Sequence, residues 1–443
     1  MNTFLKGMTV LVIATFFAEV VEFLVNMILA RELGESGMGH YMTILPTIFL
    51  IMMLASFELP VSISKMIAEK DESYHRSMIR HAVRMALVFT AVLVIGAAIV
   101  LPIIPVFNDY HPLMKWVVLA LIPVMTISAI ARGFFMGKQE MGRIAVSHFL
   151  RRAVQLALLT AVFQFFEFGS ETALLVAFCT LAGSELVVFL YLLHYFFMSY
   201  QKIKRVPGKP VSGHEVRRNL VAVSVPTTGL RIFHSLTHAV QPFLIKFAIV
   251  SAGLSTEMAT EQFGMMAGIA MTIGFFPAFI AHSFLIILIP TVSKAYAEKE
   301  FAKLQKLLQQ VMLLTFLYGL PAVTAFYFLA EPLTTRFFHS EQAAVYLQLL
   351  APYFLFHYFT IPMQAYLIGL GLVKDAFIHS VYATVVTFSL IYLIGSRPEW
   401  GMEGVIIGMN TGSLVILFLH YLTICKKIGI TWMAKRTIRN PRY

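Results

Sequence analysis

Twelve apolar stretches of roughly 20 residues recur along the chain, near 8–30, 39–62, 82–104, 113–135, 144–166, 171–197, 219–248, 265–290, 308–330, 343–368, 376–395 and 402–424. A bilayer core about 30 Å thick requires that length of a helix, so each stretch predicts a transmembrane span. Short polar segments separate them. The first stretch is too long, and lacks the small-residue cleavage site, to be a removable signal peptide.

Within this pattern one phrase occurs twice. Ser64 to Lys70 reads SKMIAEK and Ser293 to Lys299 reads SKAYAEK, both after a proline (Pro60, Pro290) and the second span of a six-span set. Pro123 and Pro352 keep the same offset. Six is an even number, so two copies of a six-span unit lie in the membrane with the same orientation. The expected fold is therefore an all-α integral membrane protein of twelve transmembrane helices in two parallel-repeat six-helix bundles. The expected lobes are 1–198 and 219–443, joined by a basic cytoplasmic linker at 199–218 and ending in a short basic cytoplasmic tail. Parallel repeats of this kind are a transporter arrangement. An ion-selective channel would show re-entrant half-spans or a short filter sequence, and neither is present.

Composition agrees with the pattern. Of 443 residues, 58% are hydrophobic and 13% charged, and the mean hydropathy is +0.78, whereas soluble domains carry about a quarter charged residues. The net charge of +11 comes from 34 Lys and Arg residues, most of which fall in alternate loops on one side. That asymmetry places both termini in the cytoplasm of a multi-pass inner-membrane protein. The basic charge is then a topology signal and an attraction to membrane lipids, which excludes nucleic acid as a partner. Two isolated cysteines, Cys179 and Cys425, offer neither a disulfide framework nor a metal site.

Polar residues inside spans carry the candidate chemistry. Thr15, Glu19, Glu22 and Asn26 follow a 4, 3, 4 spacing on the first helix, and Thr227, Arg231, His234 and His238 repeat it on the seventh. That spacing puts each set on one helical face. Intramembrane charge costs about 2.5–3.5 kcal/mol even on a lenient scale, so such residues line water, pair, or serve function. Arg231, His234 and His238, with Asn26 and Thr227, are candidate substrate-binding residues, because a guanidinium fork suits phosphate oxygens. Glu19 and Glu22 are candidates for sodium or proton coupling. The plainer readings are an ion pair of Arg231 with Glu19 or Glu22, and hydrogen bonds of the histidines across helices. Zinc binding by His234 and His238 lacks further ligands, and no cofactor is expected. Glu185 and His420 stand outside any stripe and read as packing or lipid-edge residues. Gly34 and Gly37 fit a tight turn, Pro60 and Pro290 a cytoplasmic exit, and Gly133 and Gly137 close helix approach. The segment from Glu298 to Gln310 reads as an interfacial amphipathic helix.

The segments ARELGESGMGHYMTILP (Ala30 to Pro46), ELPVSISKMIAEK (Glu58 to Lys70) and ARGFFMGKQEMG (Ala131 to Gly142) resemble the polysaccharide exporter and lipid-linked oligosaccharide flippase branch of the multidrug and polysaccharide exporter superfamily, especially its sporulation members. The resemblance spans nearly the whole chain. It implies two six-helix lobes around a V-shaped central cavity, alternating access, and no enzymatic activity. The implied substrate is an undecaprenyl-linked glycan or peptidoglycan precursor, moved during envelope or spore cell-wall synthesis alongside envelope-synthesis enzymes. This chain departs from that family by carrying Asn26 at a usually basic position, acidic Glu19 near another, and Glu58 where glycine is usual. The acidic first lobe keeps a cation-coupled drug or small-molecule exporter as an alternative. A membrane-embedded transferase using His234 or His238 as base would need a nucleophile or metal beside it, and a non-transporting scaffold would tolerate loss of every polar stripe.

Overall fold

The computed structural model describes residues 2–205, 207 and 209–429, apart from the side chains of residues 2–14, 226, 227, 230 and 286. Helices dominate: α1 (Asn2–Ser56), α2 (Leu59–Glu69), α3 (Glu72–Ile103), α4 (Leu113–Gly137), α5 (Met141–Phe165), α6 (Ser170–Lys204), α7 (Gly213–Ser251) and α8 (Thr256–Phe263). A π-helical segment follows α8, and the chain continues through α9 (Met271–Phe275), α10 (Ala278–Ala297), α11 (Phe301–Phe328), α12 (Ala330–Phe338), α13 (Ala343–Leu349), α14 (Ala351–Gly369), α15 (Val373–Gly395) and α16 (Gly401–Ile428). Every expected span coincides with helix. Among the described residues nine helices are long and apolar enough to cross a membrane, or ten if the α13–α14 pair, bent by 51°, counts as one span.

The 55 residues of α1 would reach about 80 Å at 1.5 Å per residue, far more than one bilayer. The helix therefore supplies the first two spans, and its break is at Gly34, where φ is 66° and ψ −176°. Only glycine adopts that conformation without strain. The 39-residue α7 coincides with the expected seventh span. The eighth is not one straight rod, because the π-helical turn at Gly264–Ala270 and a turn before Ala278 interrupt it.

Two compact units divide the chain inside helices. One comprises Met1–Arg31 with Phe243–Tyr443, and the other Glu32–Pro242. The sequence repeat and the packing units are thus different partitions of the same chain, because the first limb of α1 packs with the later helices and most of α7 with the earlier ones.

Inside the second unit α2 lies against α4 at backbone distance. A Cβ on Gly133 would meet the Leu59 carbonyl oxygen at 3.0 Å, and one on Gly137 would sit 2.6 Å from Ile67 Cβ. Small residues at this spacing let membrane helices approach closely, and Leu59, Ile63, Met66, Ile67, Phe134 and Phe135 form the resulting core. The first unit repeats the device: Gly369 of α14 lies against Val292 of α10, and Val292, Ala295, Tyr366 and Leu367 are buried together. The turns after α4 and α14 also match. Glu140 N–H donates to Phe135 C=O at 2.9 Å and Leu372 N–H to Leu367 C=O at 2.9 Å, with Gln139 (φ 59°) and Gly371 (φ 78°) in the left-handed position.

The copies differ at their prolines. Pro60 opens α2, after Phe57 and Glu58 have broken the chain in left-handed conformation, whereas Pro290 is inside the unbroken α10. The stretch expected to lie along the interface is likewise corrected. Lys299 (φ 57°) makes the turn, and from Phe301 onward the same residues are the first turns of the transmembrane α11. Its amphipathic pattern reflects Leu304 and Leu308 packing into the core.

Apolar side chains on α3 and α11 face outward. Val92 and Ile95 are more than 60% exposed, and Leu313 and Leu317 nearly so. Such continuous apolar faces are stable against acyl chains and not against water.

Candidate functional site

The seventh-helix stripe is built within the second unit. Arg231 of α7 extends from the helix and donates from Nη1 to Oε1 of Glu58. The two ends of this pair differ sharply: the Arg231 side chain is 61% exposed and that of Glu58 only 7%. Glu58 occupies the break between α1 and α2 in a left-handed conformation, φ 47° and ψ 26°. A non-glycine residue there costs about 1–2 kcal/mol. The ion pair offsets that cost and links the break to α7. Two turns earlier on α7, Ser224 Oγ lies 3.0 Å from Ser62 Oγ of α2, so α7 is held to α2 and to the break before it at two levels.

His234 is half-buried one turn further along α7, and His238 follows on the same face, exposed. The Phe233 ring flanks His234 at 5.7 Å. The side chain of Thr227 lies outside the described residues. Expectation and structure agree on one face for Arg231, His234 and His238. The carboxylate that meets Arg231 within its own unit is Glu58, a residue outside the expected stripes.

Those two acids belong to the first unit with the rest of their stripe. Thr15 Oγ1 is 3.0 Å from Ser283 Oγ of α10, Glu19 and Asn26 are half-buried, and Glu22 is exposed within electrostatic reach of His282. Between these polar positions Phe16 and Phe23 pack edge-on against Phe276, and Phe23 also meets Phe338 of α12. The span ends at Arg31, whose Nε and Nη2 donate to the carbonyls of Phe337 and Arg336, each at 2.7 Å. These carbonyls terminate α12, where a cation is favoured.

Two buried polar groups were not legible as such. Glu185 of α6 is 3% exposed and stands between Arg132 of α4 (3.9 Å) and Arg151 of α5 (3.7 Å). It is an interior counter-ion for two span arginines, so of its two expected readings the packing one holds and the lipid edge does not. His420 is 1% exposed, with Nδ1 3.1 Å from His379 Nδ1, and His379 Nε2 is 3.2 Å from Thr423 Oγ1. The histidines hydrogen-bond across neighbouring helices, whereas Glu185 meets its two arginines at ion-pair distance only. Among the described residues no three His, Cys, Asp or Glu side chains gather into a metal site.

Residues 4–254 match the family described as polysaccharide biosynthesis protein, and residues 265–393 match the MatE family. The chain belongs to the polysaccharide biosynthesis protein family, in the flippase branch of the multidrug and polysaccharide exporter superfamily. Three curated proteins of Bacillus subtilis (strain 168) are similar to the chain. Sporulation protein YkvU is 50% identical, over 100% of this chain and 99% of that protein. Stage V sporulation protein B is 32% identical, over 98% and 86%, and Lipid II flippase MurJ is 23% identical, over 73% and 62%. Among solved structures, an inward-facing multidrug resistance MATE family transporter superposes with a TM-score of 0.73 at 19% identity, covering 93% of this chain and 94% of that one. A second, described by a binding pocket of reversed polarity in a Pyrococcus furiosus transporter of the superfamily, gives 0.65 at 17%, with 96% of each chain covered. At those identities the likeness concerns the fold, and it assigns the helices of this family member to a multi-pass membrane architecture.

Proposed function

We propose that the chain is an alternating-access flippase that moves a lipid-linked glycan or peptidoglycan precursor across the cytoplasmic membrane during envelope or spore-wall construction, with both termini in the cytoplasm. The observation that carries the reading is Arg231: a guanidinium inside a membrane span, held from one side by buried Glu58 and otherwise largely exposed. A charge so placed is stable only against water or an anionic ligand. Its remaining N–H donors suit the phosphate oxygens of a lipid carrier, with His234 and His238 one and two turns beyond it. Sequence likeness to Stage V sporulation protein B and to Lipid II flippase MurJ supports the same substrate class. Asn26 and Thr227 are proposed as further substrate contacts, and Glu19 and Glu22 as coupling-ion ligands. The functional lobes are proposed to follow the repeat, 1–198 and 219–443 about the 199–218 linker.

A second reading rests on Glu58. It neutralises Arg231 in the second unit, and Glu19 and Glu22 add carboxylates to a span of the first, which suits a cation-coupled exporter of small cationic molecules. Reconstitution into liposomes separates the two. Labelled polyprenyl-pyrophosphate glycans should reach the opposite leaflet chemically unaltered, and Arg231→Ala should slow this about 10-fold or more, because a charge-assisted hydrogen bond contributes about 1.5–3 kcal/mol. Undiminished transport by Arg231→Ala overturns the assignment of Arg231. Movement of organic cations but not of lipid carriers, with a sodium or proton gradient imposed, overturns the flippase reading.

A further inference from the structure

Beside the α7 stripe, but on the basic side of the second unit, α3 and the first turns of α7 enclose a groove of about 510 Å³. Three polar side chains, His81, Arg84 and Arg217, line one end, and Val88, Phe89 and Val92 line the other. The segment before α7 builds it. Lys209 N–H donates to the Ser73 carbonyl at 2.9 Å and Val211 N–H to Ser77 Oγ at 3.1 Å, which lays residues 209–211 along the first turns of α3. Gly213 then opens α7 directly against the His81 ring, where a Cβ would lie 2.9 Å away. Arg217 is thereby brought beside α3, and its Nε donates to the Gly213 carbonyl at 3.3 Å.

No carboxylate lines this groove. The acids nearest in sequence are engaged elsewhere, Glu215 with Lys70 at 3.8 Å and Glu72 with Lys138 at 2.8 Å. Among the described residues neither Arg84 nor Arg217 is in an ion pair. Arg80 and Arg84 are also one helical turn apart, a like-charge spacing that destabilises an isolated helix. The site therefore carries uncompensated positive charge at one end. From Arg84 the apolar wall descends along α3 by about 6 Å to Val88 and about 12 Å to Val92, at 1.5 Å per residue. Those two valines are 62% and 63% exposed, so the wall opens onto the lipid-facing side of α3.

We propose that this groove is a binding site for an anionic glycerophospholipid of the surrounding bilayer. The phosphate is held by Arg84 and Arg217, with His81 as a further ring N–H donor, and one acyl chain lies along Val88, Phe89 and Val92. The cationic end fits the depth at which juxtamembrane arginines meet negatively charged head groups, and the apolar end fits a chain that cannot be hydrated. Phe89 also packs on Phe57 at 4.5 Å between ring centres. Phe57 is the neighbour of Glu58, so the bound chain would abut the break that carries the Arg231 pair.

The test reads binding, not transport, and is independent of the flippase reading. The full chain is purified in detergent, depleted of lipid, and titrated with phosphatidylglycerol and with phosphatidylcholine of the same acyl chains. Retained lipid is counted by native mass spectrometry, and the melting temperature is followed in parallel. Phosphatidylglycerol should be retained and should raise the melting temperature, and phosphatidylcholine should do neither. Each arginine near an anionic lipid contributes about a five-fold gain in affinity, so Arg84→Gln with Arg217→Gln should weaken binding about 25-fold. Val88→Trp should weaken it through the chain end alone, and Lys303→Gln, in the other unit, should change nothing. Equal retention of the two lipids by the unaltered chain overturns the proposal without recourse to any variant. So does retention of phosphatidylglycerol undiminished in the double variant, competition by inorganic phosphate as effective as the lipid, or exclusive retention of undecaprenyl phosphate.

Discussion

Removing the two halves of the Arg231–Glu58 pair should have unequal consequences, because its two ends sit in different surroundings. With Arg231→Ala, a carboxylate whose side chain is 7% exposed loses its counter-ion, and breaking a buried pair in this way costs about 3–5 kcal/mol. With Glu58→Gly, the residue left alone is a guanidinium 61% exposed, which hydrates, so the lost attraction is that of an exposed pair, about 1 kcal/mol or less. The same substitution removes a side chain from a backbone at φ 47° and recovers about 1–2 kcal/mol of left-handed strain. Glu58→Gly should therefore be close to neutral, and Glu58→Gly with Arg231→Ala should be close to Glu58→Gly alone. The resulting coupling of about 3 kcal/mol is far outside the additivity of independent sites. Denaturant unfolding in detergent micelles, followed by tryptophan fluorescence, measures all four corners of the cycle. Equal losses for the two single variants, or a double variant as unstable as Arg231→Ala, would refute the claim that a buried carboxylate is what Arg231 holds in place.

Further outcomes follow from packing and charge elsewhere. Gly137→Leu should lower stability by about 1–3 kcal/mol or more, since even its Cβ would fall 2.6 Å from Ile67 Cβ and 2.8 Å from the Ser64 carbonyl oxygen, and Ile67→Ala should restore part of the loss in the same unfolding assay. Glu185→Gln should cost about 3–5 kcal/mol, because Arg132 and Arg151 would face each other without their carboxylate, and adding Arg151→Met should return a share of it. At the polar end of α3, the hydrogen bond and charge of Lys138 hold the Glu72 carboxyl below its ordinary value. A carboxyl lowered on folding stabilises above its unfolded pKa, about 4.3, and that contribution disappears as pH falls through the folded value. The Glu72 side chain is 61% exposed, so the contribution is below about 1 kcal/mol; Glu72→Gln should lose stability at pH 7 and match the unaltered chain near pH 3.

The spans were legible because lipid imposes a one-dimensional rule: about 20 apolar residues per crossing, irrespective of what each helix touches. The repeat was legible for a related reason. Ser64–Lys70 and Ser293–Lys299 flank the same packing device, and Gly137 against Ile67 and Gly369 against Val292 are local constraints that each copy meets separately. Pairings across helices follow no such rule. Glu58 and Arg231 lie 173 positions apart, and helical spacing ranks Glu19 and Glu22 as equally good partners, since it orders residues on one helix and says nothing about which helix stands opposite. For Glu185 and His420 the sequence left packing and lipid edge both open, because an isolated polar residue in a span looks alike whether it faces lipid or a buried partner; burial decides for packing. Position 58 did stand out in the sequence, as a glutamate where the family resemblance leads to an expectation of glycine. The backbone there is left-handed, as glycine would allow, and a charged side chain persists in it because it reaches a cation on another helix. Where a residue breaks a local conformational rule, a tertiary interaction has to supply the difference, and at Glu58 the structure supplies it through Arg231, a partner that neither spacing nor the departure itself named.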